Sequence, residues 1–294
     1  MRIIPRTLIL AGLMAATLVA AGSRFVHTDG KHVLAPDGSK LLLRGINLGN
    51  WLVPEGYMFH FDKGPSSYRE ISALFNDLIG PDEAARFWKQ YRDTYITEAD
   101  IHFIHEAGFN CVRIPFHYKL IDDGTGFPLL DRVIGWCRDR HVWVILDMHC
   151  APGGQTGTNI DDSWGYPWIF ESDAQQQLAV GFWRSIAQRY ADEPTVIGYD
   201  LLNEPIAPPV ARLNPRLEPL YRKITEAIRQ VDTNHAVILG GAQWDSNFDV
   251  FGPPFDRNAI YTFHKYWTAP TKEVIQPYLD FRERYGAPIW MGES

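Results

Sequence analysis

The sequence predicts a (β/α)8 barrel, in which eight parallel strands alternate with helices around one core. Short apolar runs alternate with longer amphipathic stretches along most of the chain, the pattern expected of strand-helix units. With 294 residues, 46% of them hydrophobic, the chain suits one barrel better than two small domains. Polar residues also recur where the apolar runs end, and a barrel brings these positions to a single rim.

The first 22 residues predict a secretory signal peptide. Arg2 and Arg6 precede an apolar run over 8–20, and small residues follow at 20–22. An uncleaved membrane anchor is the alternative, but the run is shorter than the roughly 20 apolar residues that a bilayer span needs. We therefore expect a mature domain over 23–294, secreted or periplasmic and free of the membrane once the signal is cleaved.

The charge pattern gives no indication of a nucleic-acid partner. The formal net charge is −7, and the sequence has no tract of lysine or arginine. We therefore expect an uncharged substrate. The composition leaves the oligomeric state undetermined.

The three cysteines are predicted to be free and buried. Cys111 begins one predicted strand and Cys150 ends the next, so the two lie at opposite ends of the barrel layer. Five residues of strand rise separate them by about 16 Å, far beyond the reach of a disulfide.

The elements follow in order along the chain. A small hairpin is expected over 25–40, where Asp29-Gly30 and Asp37-Gly38 are turn signals, and it could close the barrel floor. Strands are predicted at 41–47, 111–116, 142–149, 196–203, 236–241, 259–266 and 289–293. Helices are predicted near 66–78, 81–91, 97–107, 128–140, 172–192, 216–231 and 272–285.

Seven strands are one fewer than a closed barrel contains. The sequence ends one residue after the seventh, and a missing eighth strand would leave two open sheet edges. We therefore expect a barrel truncated before its eighth strand, with a C-terminally incomplete catalytic domain. A seven-stranded open barrel is the alternative.

The strand predicted at 196–203 supplies the first catalytic candidate. It ends in Asn203-Glu204-Pro205, which places the Glu204 carboxylate at the mouth of the barrel. For the tripeptide alone, a loop cap or a surface ion pair is the more ordinary explanation, and the other strand ends must decide.

Other polar residues fall at the ends of the remaining predicted strands, namely Arg113, His149, His264, Tyr266 and Glu293. Two carboxylates facing each other can cleave a glycosidic bond, one protonating the leaving oxygen while the other attacks the anomeric carbon. If Glu204 and Glu293 lie close together, the charge on one favours the protonated form of the other.

This ordered set resembles glycoside hydrolase family 5, the cellulase-like family of retaining (β/α)8 hydrolases, over nearly the whole mature chain. The resemblance implies that Glu204 is the acid/base and Glu293 the nucleophile, while Asn203 binds the sugar 2-hydroxyl. It also implies that Arg113, His149, His264 and Tyr266 hold and polarise the two carboxylates around a β-linked glucan. Water is the only co-reactant, and no cofactor or metal is implied.

Two further stretches, 43–55 and 151–157, are similar to the exo-β-1,3-glucanase branch of that family. In that branch a glutamate matching Glu55 contacts the terminal sugar, although the loop over 161–166 departs from it. Exo-β-1,3-glucanase or another β-glycosidase activity is therefore the alternative to cellulase-like endo action. Aromatic residues in the predicted loops are candidate sugar platforms: Trp51, Trp164, Tyr166, Trp168, Trp244 and Trp267.

Two hypotheses from other functional classes remain as alternatives. One is a non-catalytic carbohydrate-binding barrel, against which the presence of both carboxylates argues. The other is a metal-dependent hydrolase, with ligands drawn from His149, His264, Asp147 and Asp200. These four lack the tight His-x-His pair of a metal site, and the paired glutamates account for the rim without one.

Overall fold

The computed structural model describes residues 23–294, so the predicted signal peptide lies outside the described residues. The described part begins with the expected hairpin, in which β1 (His27–Asp29) pairs antiparallel with β2 (His32–Leu34). Gly30 supplies the positive φ, 53°, that the turn between them requires.

The main sheet has seven parallel strands whose spatial order equals their order in the chain. They are β3 (Gly45–Asn47), β4 (Cys111–His117), β5 (Trp143–Cys150), β6 (Val196–Asp200), β7 (Ala236–Gly240), β8 (Ala259–His264) and β9 (Ile289–Glu293). This topology confirms the predicted fold class, because parallel neighbours joined by helices form the wall of a (β/α) barrel. The edge strands β3 and β9 are linked by a hydrogen bond from Asn47 Nδ2 to the Gly292 carbonyl oxygen, 3.2 Å long.

The helices cover the outside of the sheet, and the predicted ones are all present with shifts of a few residues. They are α1 (Tyr68–Ile79), α2 (Pro81–Thr94), α3 (Glu98–Glu106), α4 (Tyr118–Asp122), α5 (Gly126–Asp139), α6 (Asp173–Tyr190), α7 (Leu217–Arg229), α8 (Ala242–Asp245) and α9 (Lys272–Tyr285). The short helix α4 was not predicted, because a segment of five residues is too short to show a helical period. The segment labelled α8 is a tight turn in which Gln243 and Trp244 depart from helical φ and ψ.

Strand β6 ends earlier than predicted, at Asp200 instead of residue 203. Leu201 and Leu202 are fully buried although they belong to the loop. An apolar run shows burial but cannot distinguish a strand from a buried loop, which explains the error. Strand β8 also ends earlier than predicted, at His264 instead of residue 266.

The hydrophobic core has two layers. A large layer between sheet and helices includes the fully buried Trp183, whose indole N–H donates to the Leu201 carbonyl at 3.0 Å. A smaller layer inside the barrel contains Cys111, Ile145 and Ile260, and Val26 beside the hairpin packs against it. The segment around the hairpin therefore closes the barrel floor, as predicted.

The cysteine prediction is confirmed, since Cys111, Cys137 and Cys150 are all free and buried. Within the described residues, no helix combines the length and apolarity needed to cross a bilayer.

Two glycines give a matched test of the packing. A Cβ added at Gly198 in β6 would lie 2.4 Å from the Ala236 carbonyl oxygen, whereas one added at Gly181 in α6 meets nothing within 4 Å. We expect Gly198→Ala to lower the free energy of unfolding by about 1–3 kcal/mol through overpacking. Gly181→Ala should raise it by up to about 1 kcal/mol, because alanine favours helix. Urea denaturation measures both, and equal effects would contradict the packing of β6 against β7.

Candidate active site

A buried arginine organises the barrel mouth. Arg113 on β4 is 1% exposed and follows Cys111 at the strand period of two, so its side chain points into the barrel. Its Nε donates to Asp200 Oδ2 at 2.9 Å and its Nη1 to Glu293 Oε1 at 2.8 Å. Nη2 donates to Asn203 Oδ1 at 2.9 Å, and Nη1 also lies 3.2 Å from Asp147 Oδ2.

The surrounding acids keep this arginine charged. Burial by itself favours the neutral guanidine, but the charges of Asp147, Asp200 and Glu293 outweigh burial and raise the pKa of Arg113 above its usual range. Burial also raises the pKa of the Asp200 carboxyl in spite of its bond to Arg113. The mouth of the barrel is therefore an electrostatic network whose members depend on one another.

Glu293 on β9 is held in its ionised form. Besides the bond from Arg113, its Oε2 accepts a hydrogen bond from the Tyr266 hydroxyl at 2.8 Å. Burial would raise the pKa of Glu293, but its interactions with His264, Arg113 and His149, with the Tyr266 bond, lower it to about 2. An ionised carboxylate fixed by two donors is suited to act as a nucleophile.

A register shift places Glu293 at the mouth. Phe263 of β8 pairs with Met291, but the next residue, His264, pairs with Glu293, so Gly292 is skipped. A Cβ at Gly292 would lie 2.8 Å from His264 Nε2 and 2.7 Å from Thr262 Oγ1. Only glycine therefore lets β9 pass this close to the histidine while presenting Glu293 beside it.

Glu204 approaches from the loop after β6, in a left-handed backbone conformation with φ of 46°. Its Oε1 lies 2.9 Å from His264 Nδ1, and the same nitrogen lies 3.7 Å from Glu293 Oε2. A carboxylate oxygen of Glu204 lies within 4.8 Å of one of Glu293. Carboxyl groups about 5–5.5 Å apart are typical of retaining glycosidases, whereas inverting enzymes keep them about 6.5–9.5 Å apart to admit a water.

His149 and Glu55 lie beside the two glutamates at the barrel mouth. His149 Nδ1 lies 2.7 Å from Asp147 Oδ2, and its Nε2 lies 3.8 Å from Glu55 Oε1. Burial would lower the pKa of His149, but Asp147 and Glu55 raise it to about 9. Burial raises the pKa of Glu55 to about 6, with smaller contributions from Glu293 and Glu204. The Glu55 carboxyl is therefore a weaker acid than an exposed glutamate.

The family model for "Cellulase (glycosyl hydrolase family 5)" matches residues 78–293, which include both glutamates. The chain belongs to glycosyl hydrolase family 5. It is 31% identical over 272 residues to a beta-xylosidase of Phanerodontia chrysosporium, covering 87% of this chain and 54% of that protein. It is 35% identical over 232 residues to endoglucanase C of Acetivibrio thermocellus, covering 76% of this chain and 57% of that protein. The chain spans about half the length of these curated relatives.

Among solved structures, the fold resembles Thermotoga maritima Cel5A, in the crystal structures of a mutant form with cellobiose substrate. The TM-score is 0.56 at 23% identity, covering 85% of this chain and 76% of that one. At this identity the likeness concerns the fold alone. The family model and the curated relatives confirm the family resemblance drawn from the sequence, whereas the role of each site residue in this chain remains a proposal.

Most of the residues predicted for the site meet at the mouth. The shared polar cluster comprises Glu55, Arg113, His149, Asn203, Glu204, His264, Tyr266 and Glu293. Trp244 lies at the same end of the barrel, 40% exposed in the turn after β7.

Trp51 corrects one expectation. Its side chain is completely buried, and its indole N–H donates to the Arg92 carbonyl at 2.8 Å. It has no free face for a sugar, so it packs the loop after β3 against α2. The other aromatic candidates that remain open to solvent are Trp164, Trp168 and Trp267.

Sequence reasoning missed two members of the site. Gln155 donates from Nε2 to the backbone carbonyls of His149 and Asn203, at 2.7 and 2.9 Å, and so ties the ends of β5 and β6 together. Asp245 lies against His264 and Glu204. Asp245 follows β7 closely, so applying the strand-end rule to every strand would have found it. Gln155 carries no such signal, because its role depends on a loop turning back.

The structure changes the set of residues that could bind a metal ion. Within residues 23–294, one group of three residues brings donor atoms close enough for an ion, and it consists of Glu204, His264 and Glu293. The set suggested by the sequence, with Asp147, His149 and Asp200, does not form such a group among these residues. The hydrogen bond between His264 and Glu204 accounts for this cluster.

The Arg113 network predicts a pH-dependent stability change. In the wild type, the lowered pKa of Glu293 contributes stability that is present above the unfolded carboxyl pKa and lost as pH falls toward about 2. Arg113→Met leaves buried carboxylates unpaired, which should cost about 3–5 kcal/mol at neutral pH. Burial then raises their folded pKa values, so the loss should shrink as pH falls.

Urea denaturation at pH 7 and pH 5 measures this change. Arg138→Met is the matched control, because Arg138 pairs with Glu193 at the surface and should contribute no more than about 1 kcal/mol. An Arg113→Met cost that equals the control, or that grows toward pH 5, would contradict the network.

Proposed function

We propose that this family 5 protein hydrolyses β-glucosidic bonds in β-glucans by a retaining double displacement. The observation that supports it is the carboxylate pair within 4.8 Å, in which Glu293 is ionised by its donors and Glu204 is joined to His264. Oxygens this close favour the shorter carboxyl separation of retaining enzymes over the longer one with which inverting enzymes admit a water.

In the first step, Glu204 carries a proton and delivers it to the glycosidic oxygen. Glu293 attacks the anomeric carbon, the bond from that carbon to the leaving oxygen breaks, and a glycosyl ester forms on Glu293. Glu204 ends this step ionised, and the His264 Nδ1–H 2.9 Å from its Oε1 stabilises the new charge.

In the second step, a water attacks the same carbon from the side that the leaving group vacated. Glu204 now accepts a proton from that water, and the ester bond to Glu293 breaks. The released Glu293 carboxylate returns to the donors Arg113 and Tyr266, which are already in place and need no reorganisation. One water is consumed, and both glutamates regain their starting states.

Asn203 has a defined way to bind the sugar. Its Oδ1 is occupied by Arg113, and its Nδ2 lies 3.4 Å from His149 Nε2 near the two glutamates. The amide nitrogen is therefore the group that it offers to the sugar 2-hydroxyl, a contact that strengthens in the transition state of glycosidases.

The substrate class is a β-linked glucan. The endoglucanase relative supports endo action, while the stretches at 43–55 and 151–157 favour the exo-β-1,3 alternative. Glu55 lies within that first stretch, 6% exposed and beside His149, where a carboxyl can bind the hydroxyls of a terminal sugar. Products from β-1,3-, β-1,4- and mixed-linkage glucans separate the two, because only exo action releases mostly monosaccharide from the start.

We further propose that the protein is exported and acts outside the cytoplasm. The support is the basic, apolar and small-residue pattern over residues 1–22. N-terminal sequencing of the exported protein tests the cleavage site.

The stereochemistry of the first product tests the mechanism. Because closely spaced carboxyl groups favour a double displacement, a β-glucan should yield the β-anomer first. Proton NMR during the first minutes of hydrolysis detects it before mutarotation. Initial appearance of the α-anomer would rule out the double displacement.

Two variants test the division of roles. Glu293→Ala should abolish turnover of every substrate, because no nucleophile remains. Glu204→Ala should slow glucan hydrolysis by about 10²–10⁴-fold, the usual contribution of a general acid. Formation of the glycosyl ester from a dinitrophenyl glucoside should persist in Glu204→Ala, since that phenol leaves without a proton.

Rates of phenol release measure both variants. Equal loss in the two variants on the dinitrophenyl substrate would overturn the role assignment. Sugar binding by a wild-type protein that turns over no substrate would instead favour the non-catalytic reading.

A further inference from the structure

Asp245 is a buried acid at the candidate active site to which no role has been assigned above. Its side chain is fully buried, and its Oδ2 lies 3.2 Å from His264 Nε2. The same oxygen accepts the Glu204 backbone N–H at 3.3 Å. One carboxylate oxygen therefore touches both the histidine that contacts Glu204 and the backbone that carries Glu204.

The backbone is strained to put Asp245 there. Gln243, Trp244 and Asp245 all have positive φ, at 51°, 56° and 57°, an unusual run for residues other than glycine. The Gln243 N–H donates to the Ile206 carbonyl at 2.8 Å, which ties the turn to the Glu204 loop. A Cβ at Gly240 would lie 2.0 Å from Asp245 Oδ1, so the strand end must be glycine for Asp245 to fit.

His264 consequently lies between two carboxyl groups. Its Nδ1 lies 2.9 Å from Glu204 Oε1, and its buried Nε2, which makes no aligned hydrogen bond, lies 3.2 Å from Asp245 Oδ2. Two ionised carboxylates against a neutral imidazole would leave one nitrogen lone pair facing a negative oxygen. A proton held between Asp245 and Nε2 removes this repulsion and leaves Nδ1 to carry the hydrogen that points to Glu204.

We propose that Asp245 is a positioning residue that acts through His264 to select the oxygen on which Glu204 carries its proton. With Nδ1–H donating to Oε1, the proton of Glu204 must lie on Oε2, the oxygen left free for the substrate. Without Asp245, His264 can take the other tautomer, whose Nδ1 accepts a proton from Oε1 and draws it away from the leaving group. This inference rests on the proposed function.

The charges around the pair come from several elements. Asp200 of β6 and Glu204 are the acidic groups that face Asp245, while Arg113 of β4 offsets their effect. Glu293 of β9 faces His264 from the other side, 3.7 Å from Nδ1. Burial together with Asp200 and Glu204 holds the pKa of Asp245 well above its usual range, which agrees with a proton retained there.

The test compares phenyl and dinitrophenyl β-glucosides, whose leaving groups differ in their need for a proton. Asp245→Ala should lower kcat/KM for the phenyl substrate by about 10²-fold or more, the scale of general acid catalysis, and for the dinitrophenyl substrate by less than about threefold. Asp245→Asn should restore part of the phenyl activity, because an amide N–H that donates to Nε2 keeps the hydrogen on Nδ1 but cannot also accept the Glu204 backbone N–H.

Asp232→Ala is the matched control. Asp232 pairs with His235 Nδ1 at 2.6 Å, and both are fully buried at the opposite end of β7. It should lower stability and reduce both substrates equally. A uniform loss in Asp245→Ala, alongside a selective loss in Glu204→Ala, would overturn the inference. Absence of turnover by the wild type would instead overturn the proposed function.

A measurement on the wild type covers the case in which Asp245→Ala does not fold. Nitrogen-15 NMR reports which ring nitrogens of each histidine carry hydrogen, and His264→Gln identifies the His264 signals. The inference requires a protonated Nδ1 on His264 near neutral pH. An unprotonated Nδ1 in the folded protein would overturn it.

Discussion

Burial of the Arg113 guanidinium is the constraint on which the barrel mouth depends. A buried cation requires compensating charge, and here it comes from Asp147 on β5, Asp200 on β6 and Glu293 on β9. These partners are far apart in the chain, so their bonds to one arginine fix the relative register of the strands at the mouth. Replacing such a network by apolar residues is often neutral or stabilising, so stability does not explain it. Its consequence is an ionised Glu293 held in place before any substrate arrives.

His264 is the second point on which the site depends. It lies close to Glu204, Glu293 and Asp245. Glu204 has a left-handed backbone conformation, and Asp245 ends a turn of left-handed residues. Glu293 follows the glycine that the register of β8 and β9 skips. Strain of this kind persists only where surrounding bonds enforce it, and it concentrates at functional sites. The sheet supplies that enforcement, because a rigid strand on each side leaves the loops little freedom.

Family membership and fold do not by themselves define the substrate. The relatives carry the names of a beta-xylosidase and an endoglucanase, and the Cel5A likeness concerns the fold. Within one fold, differences in substrate arise from the side chains and loops at the site. In this chain those loops carry Glu55, Trp164, Trp168 and Trp267, with the Trp164 ring stacked on the Arg69 guanidinium at 3.5 Å. Substrate choice is therefore to be sought in these side chains.

The sequence alone determined the strand and helix order, the free cysteines and the strand-end residues, because period, length and position in a strand are local properties. That placed Glu204, Glu293 and their partners at one rim. The sequence-based prediction was wrong for Trp51, because the sequence does not distinguish a loop tryptophan that packs in the core from one that binds a sugar. It also missed Gln155 and Asp245, whose roles arise from contacts between separate loops. The distance between the glutamates, the ionisation of Glu293 and the orientation of His264 were decided only by the tertiary structure, because electrostatics and register depend on residues that are distant in sequence.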